Sequence, residues 1–289
     1  MYKPSLYEAI KGIGDGIVLI SRVPLERVFA QIPKISCGAF DFDGTLISGS
    51  QWQALSVLMN ADLRAQDSRN RDWYWSQTHG EFGSDQMTLE NPDWFHGVLL
   101  PENQQVVEGA WISESIRLYQ EAELTRKQIR ETACTLSTRP GVYELFQKLD
   151  QRVVISFGIE QIIQDWLEHM NLNPTAVAAS RLKFDEQERV NGCHINLVAS
   201  HTKKCAVERF KQVGKIDERN LLVVGDSVVD VHMMGKNSFN VLIVPPSELD
   251  RRLADFREGN LLTMWDRITL ILASDSLVPL LNLLKALEA

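Results

Sequence analysis

At 289 residues the chain is long enough to bury a large core, as one domain carrying an insertion or as two domains. Its formal charge of -8 and lack of a Lys/Arg cluster argue against a nucleic acid polymer as partner, although a local site can still be positive toward a small anion. No apolar run approaches the roughly 20 residues of a membrane span, and Cys37, Cys134, Cys193 and Cys205 form no CxxC or zinc spacing, which fits a reducing cytoplasm.

Residues 1–34 read as a lead-in helix packed on the core, with Pro24, Leu25, Val28, Phe29 and Ile32 at helical spacing and Pro33 ending it. Ile35 to Phe42 is the first predicted strand. It runs into Asp41-Phe42-Asp43-Gly44-Thr45, two acids one residue apart before a glycine. In an extended chain they leave the same face. Carboxylates that close repel unless a cation or a shared proton compensates. A strand ending this way suggests a metal and phosphate site at the carboxyl edge of a sheet, where open α/β sheets collect ligands. A solvated Asp-Gly turn is the plainer alternative.

Residues 48–137 then read as helical. Trp52, Leu55, Met59 and Leu63 recur at three and four, and further helices run through Val107, Trp111 and Leu118 and over Leu124 to Leu136. The polar middle from Asp67 to Glu102 holds Trp73, Trp75 and Trp94, the tryptophans best placed to stack on a flat ligand; cap core is the plainer role for any one of them.

From residue 138 onward, strands and helices alternate. Arg139-Pro140-Gly141 opens a helix with Val142, Leu145, Phe146 and Leu149 on one face. Val153-Val154-Ile155-Ser156 is a short β-branched run typical of a buried parallel strand. Ser156 can either bind an oxyanion beside the N–H groups that follow it or cap the next helix. Residues 176–200 are mixed, and Thr202-Lys203-Lys204 opens another helix. A lysine so near a helix start opposes the dipole unless it faces an anion, and Lys203 and Lys204 compete for that role. Leu221 to Val224 is a strand running into Gly225-Asp226-Ser227-Val228-Val229-Asp230. Asp226 there could ligate a hard cation, and Asp230, one helical turn later, could orient it. Asn240 to Val244 gives one more strand, a late helix passes through Leu249, Leu253 and Phe256, and Leu277 to Leu287 closes the chain. The fold class is α/β, a parallel sheet covered on both faces with an inserted helical domain.

The order strand-DxDGT, strand-Ser, helix-start Lys, strand-GDxxxD resembles the haloacid dehalogenase-like phosphohydrolase superfamily over residues 36 to about 245. The resemblance implies a doubly wound, Rossmann-like core formed by 35–47 and 138–289, with 48–137 as a C1 cap. It implies Asp41 as nucleophile, Asp43 as general acid and base, and Mg²⁺ held by Asp41, Asp43 and Asp226. Ser156, the Phe157 N–H and Lys203 would hold the phosphate, with Asp230 behind the metal. Among capped members the chain looks most like cytosolic 5'-nucleotidase III, and more distantly like phosphoserine phosphatase. In the cap, Asp72-Trp73-Tyr74 followed by His79-Gly80 faintly resembles that nucleotidase's Glu-Trp-Tyr and His-Gly, which makes Asp72 a substrate-contact candidate. The implied activity is a Mg²⁺-dependent phosphatase of a small phosphorylated metabolite, a nucleoside 5'-monophosphate being one option. A non-nucleotide phosphatase and a non-catalytic binding protein of the same fold are the alternatives. A dehalogenase would not need Asp43, and a phosphonatase would want a cap lysine, which residues 48–126 lack.

Overall fold

Six strands run parallel through the middle of one sheet, and antiparallel strands close it on either side. The computed structural model describes residues 8–10, 18–21, 24–78, 107–194, 200–251 and 266–286. In chain order the strands are β1 (Glu8–Ile10), β2 (Val18–Ser21), β3 (Cys37–Phe40), β4 (Gln151–Ile159), β5 (Ala176–Phe184), β6 (Val190–His194), β7 (Leu221–Gly225), β8 (Phe239–Val244) and β9 (Leu270–Ala273). Their spatial order is β1-β2-β9-β8-β7-β3-β4-β5-β6.

β3, β7 and β8 are buried along their whole length, as expected of aliphatic runs covered on both faces. From β3 the chain builds outward through β4 and β5, then returns to lay β7 on the other side of β3. That reversal opens a crevice at the carboxyl ends of β3, β4 and β7. Register carries the point home: Phe40 pairs with both Val154 and Val224, so the residues that follow on all three strands emerge together.

The stretch expected as a purely helical lead-in is partly sheet. β1 and β2 pair antiparallel with each other, and β2 pairs antiparallel with β9, covering an edge the parallel strands would otherwise expose. The helix itself, α1 (Leu25–Gln31), is short; Val28 and Ile32 are buried, but Phe29 is exposed. β9 also went unpredicted, lying between two segments read as helices. The mixed 176–200 region resolves into the antiparallel hairpin β5–β6. The first strand stops at Phe40, so Asp41 and Asp43 stand beyond it rather than within it.

Helices α2 (Gln51–Ser56), α3 (Ala61–Thr78), α4 (Val107–Glu121) and α5 (Arg126–Ala133) follow β3. The single helical stripe expected from Trp52 to Leu63 is broken near Asn60, whose side chain accepts from the Leu63 N–H at 3.0 Å and starts α3. The last of these helices is shorter than the 124–136 expected, because Thr125 and Gln128 form a capping box at its start. The two crossings between helices and sheet lie side by side. Ile47 bridges Thr138, the Ser48 N–H donates to the Ser137 carbonyl at 2.8 Å, and the Arg139 N–H donates to the Leu46 carbonyl at 2.9 Å. Farther out, Arg126 makes a two-pronged ion pair with Asp165 at 2.5 and 2.6 Å, fastening α5 to the core helix α7 (Glu160–His169). The core is completed by α6 (Val142–Lys148), α8 (Ser200–Gly214) and α9 (Val278–Ala286). Of the predicted late helix, Leu253 and Phe256 fall outside the described residues.

Candidate active site

A cleft of about 370 Å³ opens over the carboxyl ends of β3, β4 and β7. Its floor gathers Asp41, Asp43, Ser156, Phe157, Lys203 and Asp226, drawn from four segments far apart in the chain. The Asp41 N–H donates to the Val224 carbonyl at 3.0 Å, extending the β3–β7 pairing one residue beyond the strand and fixing where that carboxylate emerges.

Lys203 lies in the first turn of α8 and is buried, whereas Lys204 beside it is exposed. Its ammonium donates to Asp41 Oδ1 at 2.7 Å and to Asp230 Oδ1 at 2.6 Å, and it stands 4.6 Å from the centre of the Phe157 ring. Burial works against the charge, but Asp230 and Asp41 outweigh it and hold the lysine protonated. Asp230 is wholly buried, and its other oxygen accepts from the Asp226 N–H (3.1 Å), the Ser227 N–H (3.0 Å) and the Ser227 hydroxyl (2.8 Å). Burial disfavours the Asp230 charge, yet these donors and Lys203 bring its pKa below the usual carboxylate range. Asp41 goes the other way: desolvation and the charges of Asp230 and Asp226 push it well above that range, with Lys203 pulling back.

That imbalance bears on a metal. Oxygens of Asp41, Asp226 and Asp230 lie within 4.8 Å of one another. Asp230 spends both oxygens on Lys203 and the Ser227 turn, whereas Asp41 gives Lys203 only one, so Asp41 together with Asp226 would hold a hard cation, which suits oxygen donors of this kind. Repulsion among several acids around one lysine is what a divalent ion would relieve. Gly44 makes the approach of Asp226 possible. It has a φ of 72°, and a Cβ there would meet Asp226 Oδ2 at 2.2 Å.

Two residues of this site escaped the sequence reading. Gln51, fully buried at the start of α2, holds Asp43 at both oxygens: its backbone N–H donates to Oδ1 at 2.6 Å and its side-chain amide to Oδ2 at 2.9 Å. Desolvation pushes Asp43 up to about 6, against the downward pull of these donors. Arg139 donates to the carbonyls of Gly44 (2.5 Å), Thr45 (3.1 Å) and Ser274 (3.3 Å), pinning the acid-bearing loop to the end of β9. Burial lowers its pKa, with Asp226 and Asp275 acting to restore it. No hydrophobic period or strand-end pattern announces either residue: Gln51 reads as an ordinary polar helix start although Asp43 is only eight positions away, and the partners of Arg139 lie about a hundred positions off. Ser156, buried on β4, accepts from the Gly158 N–H at 2.9 Å.

The helical side of the cleft differs from expectation. Asp72 is exposed and does not line it; its neighbours Arg71 and Tyr74 do. Among the described residues the tryptophans that line the cleft are Trp52 and Trp111; Trp73 packs partly buried against the core. The Trp75 side chain, His79, Gly80 and Trp94 lie outside the described residues. Tyr74 stacks on Trp111 at 4.6 Å, and Trp52 tilts against Trp111 at 4.7 Å. Arg71 lies 3.9 Å from Asp67, and its buried Nη1 has no hydrogen-bond partner among the described residues.

Parallel strands wound in both directions, with acids collected where the winding reverses, define a doubly wound α/β enzyme core. The chain belongs to the haloacid dehalogenase-like hydrolase family, which it matches over residues 39–235. Among solved structures it is similar to cytosolic 5'-nucleotidase IIIB bound to cytidine, at 15% identity and a TM-score of 0.61, covering 95% of this chain and 94% of that one. It is also similar to a substrate-bound phosphoserine phosphatase complex, at 13% identity and a TM-score of 0.59, covering 86% and 97%. A phospho-aspartyl intermediate analogue of phosphoserine phosphatase aligns at 14% identity and a TM-score of 0.51, over 72% and 86%. At these identities the likeness is one of fold. No curated protein matches the sequence. Among the described residues no helix is long and apolar enough to cross a membrane, and all four cysteines are unpaired.

Proposed function

We propose that the protein is a Mg²⁺-dependent phosphatase of a small phosphorylated metabolite, working through an aspartyl phosphate on Asp41. The observation that carries this reading is the buried Lys203 ammonium shared between Asp41 and Asp230, with Asp226 alongside. An anionic carboxylate can approach an anionic phosphate only where positive charge is concentrated, and the burial of Lys203 strengthens its effect.

In the first step an Asp41 oxygen attacks phosphorus, and the bond from phosphorus to the leaving oxygen breaks. The proton on Asp43 passes to that oxygen, so the product departs as an alcohol. A carboxyl held near pH 6 suits the task, because it keeps a useful protonated fraction near neutrality. In the second step Asp43 takes a proton from water, whose oxygen attacks the same phosphorus. The acyl phosphate bond breaks, releasing inorganic phosphate and restoring Asp41. Ser156, the Phe157 N–H and Lys203 hold the non-bridging oxygens, while Asp230 keeps Lys203 aimed. Mg²⁺, held by the Asp41 and Asp226 carboxylates and the Asp43 carbonyl, would supply further charge neutralisation at the phosphoryl group. The helices after β3 act as the cap that reads the leaving group. Trp52, Tyr74 and Trp111 favour a flat body, and Arg71 an anionic or carbonyl acceptor. A nucleoside 5'-monophosphate meets both conditions. The unpaired cysteines and acidic charge support a cytoplasmic location.

The test is p-nitrophenyl phosphate hydrolysis with and without Mg²⁺, beside an Asp41→Asn control. Activity is expected to depend on Mg²⁺ and to fall by orders of magnitude in the variant. Equal rates in both proteins would leave only a non-catalytic binding role. A panel of UMP, CMP, AMP and phosphoserine then separates nucleotide from non-nucleotide substrates.

A further inference from the structure

We propose that Gln51 is a positioning residue for Asp43, and that it makes the orientation of this carboxyl depend on how the helical insertion sits on the core. The inference rests on the phosphatase reading, in which Asp43 protonates the leaving oxygen. Gln51 is the first residue of α2, and Ser50 caps that helix by accepting from the Trp52 N–H at 3.2 Å. Its carboxamide, wholly buried, bridges two core segments: Nε2 donates to Asp43 and Oε1 accepts from the Ile159 N–H at 2.7 Å.

Two irregularities of the core share this one explanation. The β4–β5 register shifts between Ile155 and Ile159, and it is at Ile159, where the pairing resumes with Ser180, that the N–H turns to Gln51. Residue 158 is glycine, and a Cβ there would stand 1.8 Å from Gln51 Nε2. A buried amide is normally avoided unless its polar atoms are paired, and here both ends are. The strand has been opened to admit a side chain from the insertion. Both donors to Asp43 belong to that single residue, so a shift of α2 away from the sheet would remove them together. With both oxygens held, the carboxyl plane is fixed, and the lone pairs not engaged by Gln51 remain for the leaving oxygen.

In the first step, the one kcat/KM reports, a positioned acid matters only when the leaving oxygen needs a proton. Alkoxides do; p-nitrophenolate departs without one. The later water-activating role of Asp43 is common to all substrates. The experiment therefore compares kcat/KM for p-nitrophenyl phosphate with kcat/KM for the best alkyl phosphomonoester of the panel, in wild type, Gln51→Ala and the isosteric Gln51→Glu. Glu keeps the acceptor for Ile159 but replaces the donor facing Asp43. We expect the alkyl substrate to lose about a hundredfold in both variants, with less than about a threefold change for p-nitrophenyl phosphate. Parallel losses on both substrates would mean a structural role only, and unchanged or faster alkyl turnover would mean that Gln51 does not position the acid; either overturns the proposal. A second readout needs no turnover. The Gln51 side-chain amide signal in ¹⁵N NMR, assigned by its absence in Gln51→Ala, should lie away from free-amide positions and move in Asp43→Asn. A free-amide signal overturns the proposal as well. Loss of activity in Asp41→Asn with normal alkyl turnover in both Gln51 variants would sink this inference and leave the phosphatase standing. No hydrolysis by wild type would remove both.

Discussion

The floor and the roof of the cleft are built on opposite plans. On the floor the charged groups are held from several sides: Lys203 by two carboxylates, Asp230 by Lys203 and the Ser227 turn, Asp43 by both donors of Gln51. On the roof the cleft-lining cation is loosely matched. Arg71 sits 3.9 Å from Asp67, and its Nη1 has no hydrogen-bond partner among the described residues. A floor fixed this way arrives preorganised for one chemical group, whereas a roof with an unmatched donor and an aromatic wall is suited to a ligand that completes it.

The largest effect should come from breaking the floor. Lys203→Met leaves Asp41 and Asp230 buried without their cation, which should destabilise the fold by about 3–5 kcal/mol at neutral pH and abolish detectable phosphatase activity. Urea melts in EDTA should show part of that loss recovered at acid pH, where Asp41 takes up a proton. A variant as stable as wild type would mean that the lysine is not the centre of the floor.

A smaller effect is expected on the roof. Arg71→Met should raise KM about ten- to a hundredfold for substrates with an acceptor at the far end, the cost of one charged hydrogen bond. p-Nitrophenyl phosphate, which is short, should be hydrolysed as before. Equal losses on both would move Arg71 from selecting the leaving group to shaping the floor.

The smallest effect concerns Asp67, buried in α3 with its pKa raised from 3.8 to about 6, by desolvation first and despite Arg71. The folded state therefore binds this proton more tightly than the unfolded chain. Stability from this group is highest below about pH 4, falls as pH rises to about 6, and is level beyond. Asp67→Asn removes the penalty and should stabilise the protein by about 2 kcal/mol at pH 8, with little gain at pH 4. Denaturant melts at the two pH values check it; a variant less stable at pH 8 would show that pairing with Arg71 outweighs burial.

What could be read from the sequence follows the same division. Asp41, Ser156, Lys203 and Asp226 were legible because each stands at the end of an aliphatic run or the start of a helix, and sheet topology then brings such ends together. β2 and β9 were missed because four-residue strands, Val18–Ser21 and Leu270–Ala273, look no different from short helical pieces and owe their form to pairing with each other. Arg139 was missed because its partners are distant in the chain, and Gln51 because a polar residue at a helix start gives no sign that it is buried between Asp43 and Ile159. On α3 the candidate came from a resemblance, Asp72-Trp73-Tyr74, and helix geometry decides which neighbour meets the cleft. A single residue turns a helix by about 100°, enough to put Asp72 outside and Arg71 in the cleft.

The paired crossings at Ile47 and Thr138 have an evolutionary consequence. Seen from the sheet, the whole excursion through α2 to α5 begins and ends like a tight hairpin, so its contour length costs the core little in chain entropy. A shorter or longer module could be grafted at the same two points with the strand order undisturbed. Selectivity could then be rewritten by exchanging one cassette, provided the newcomer brought its own side chain to reach between Asp43 and Ile159.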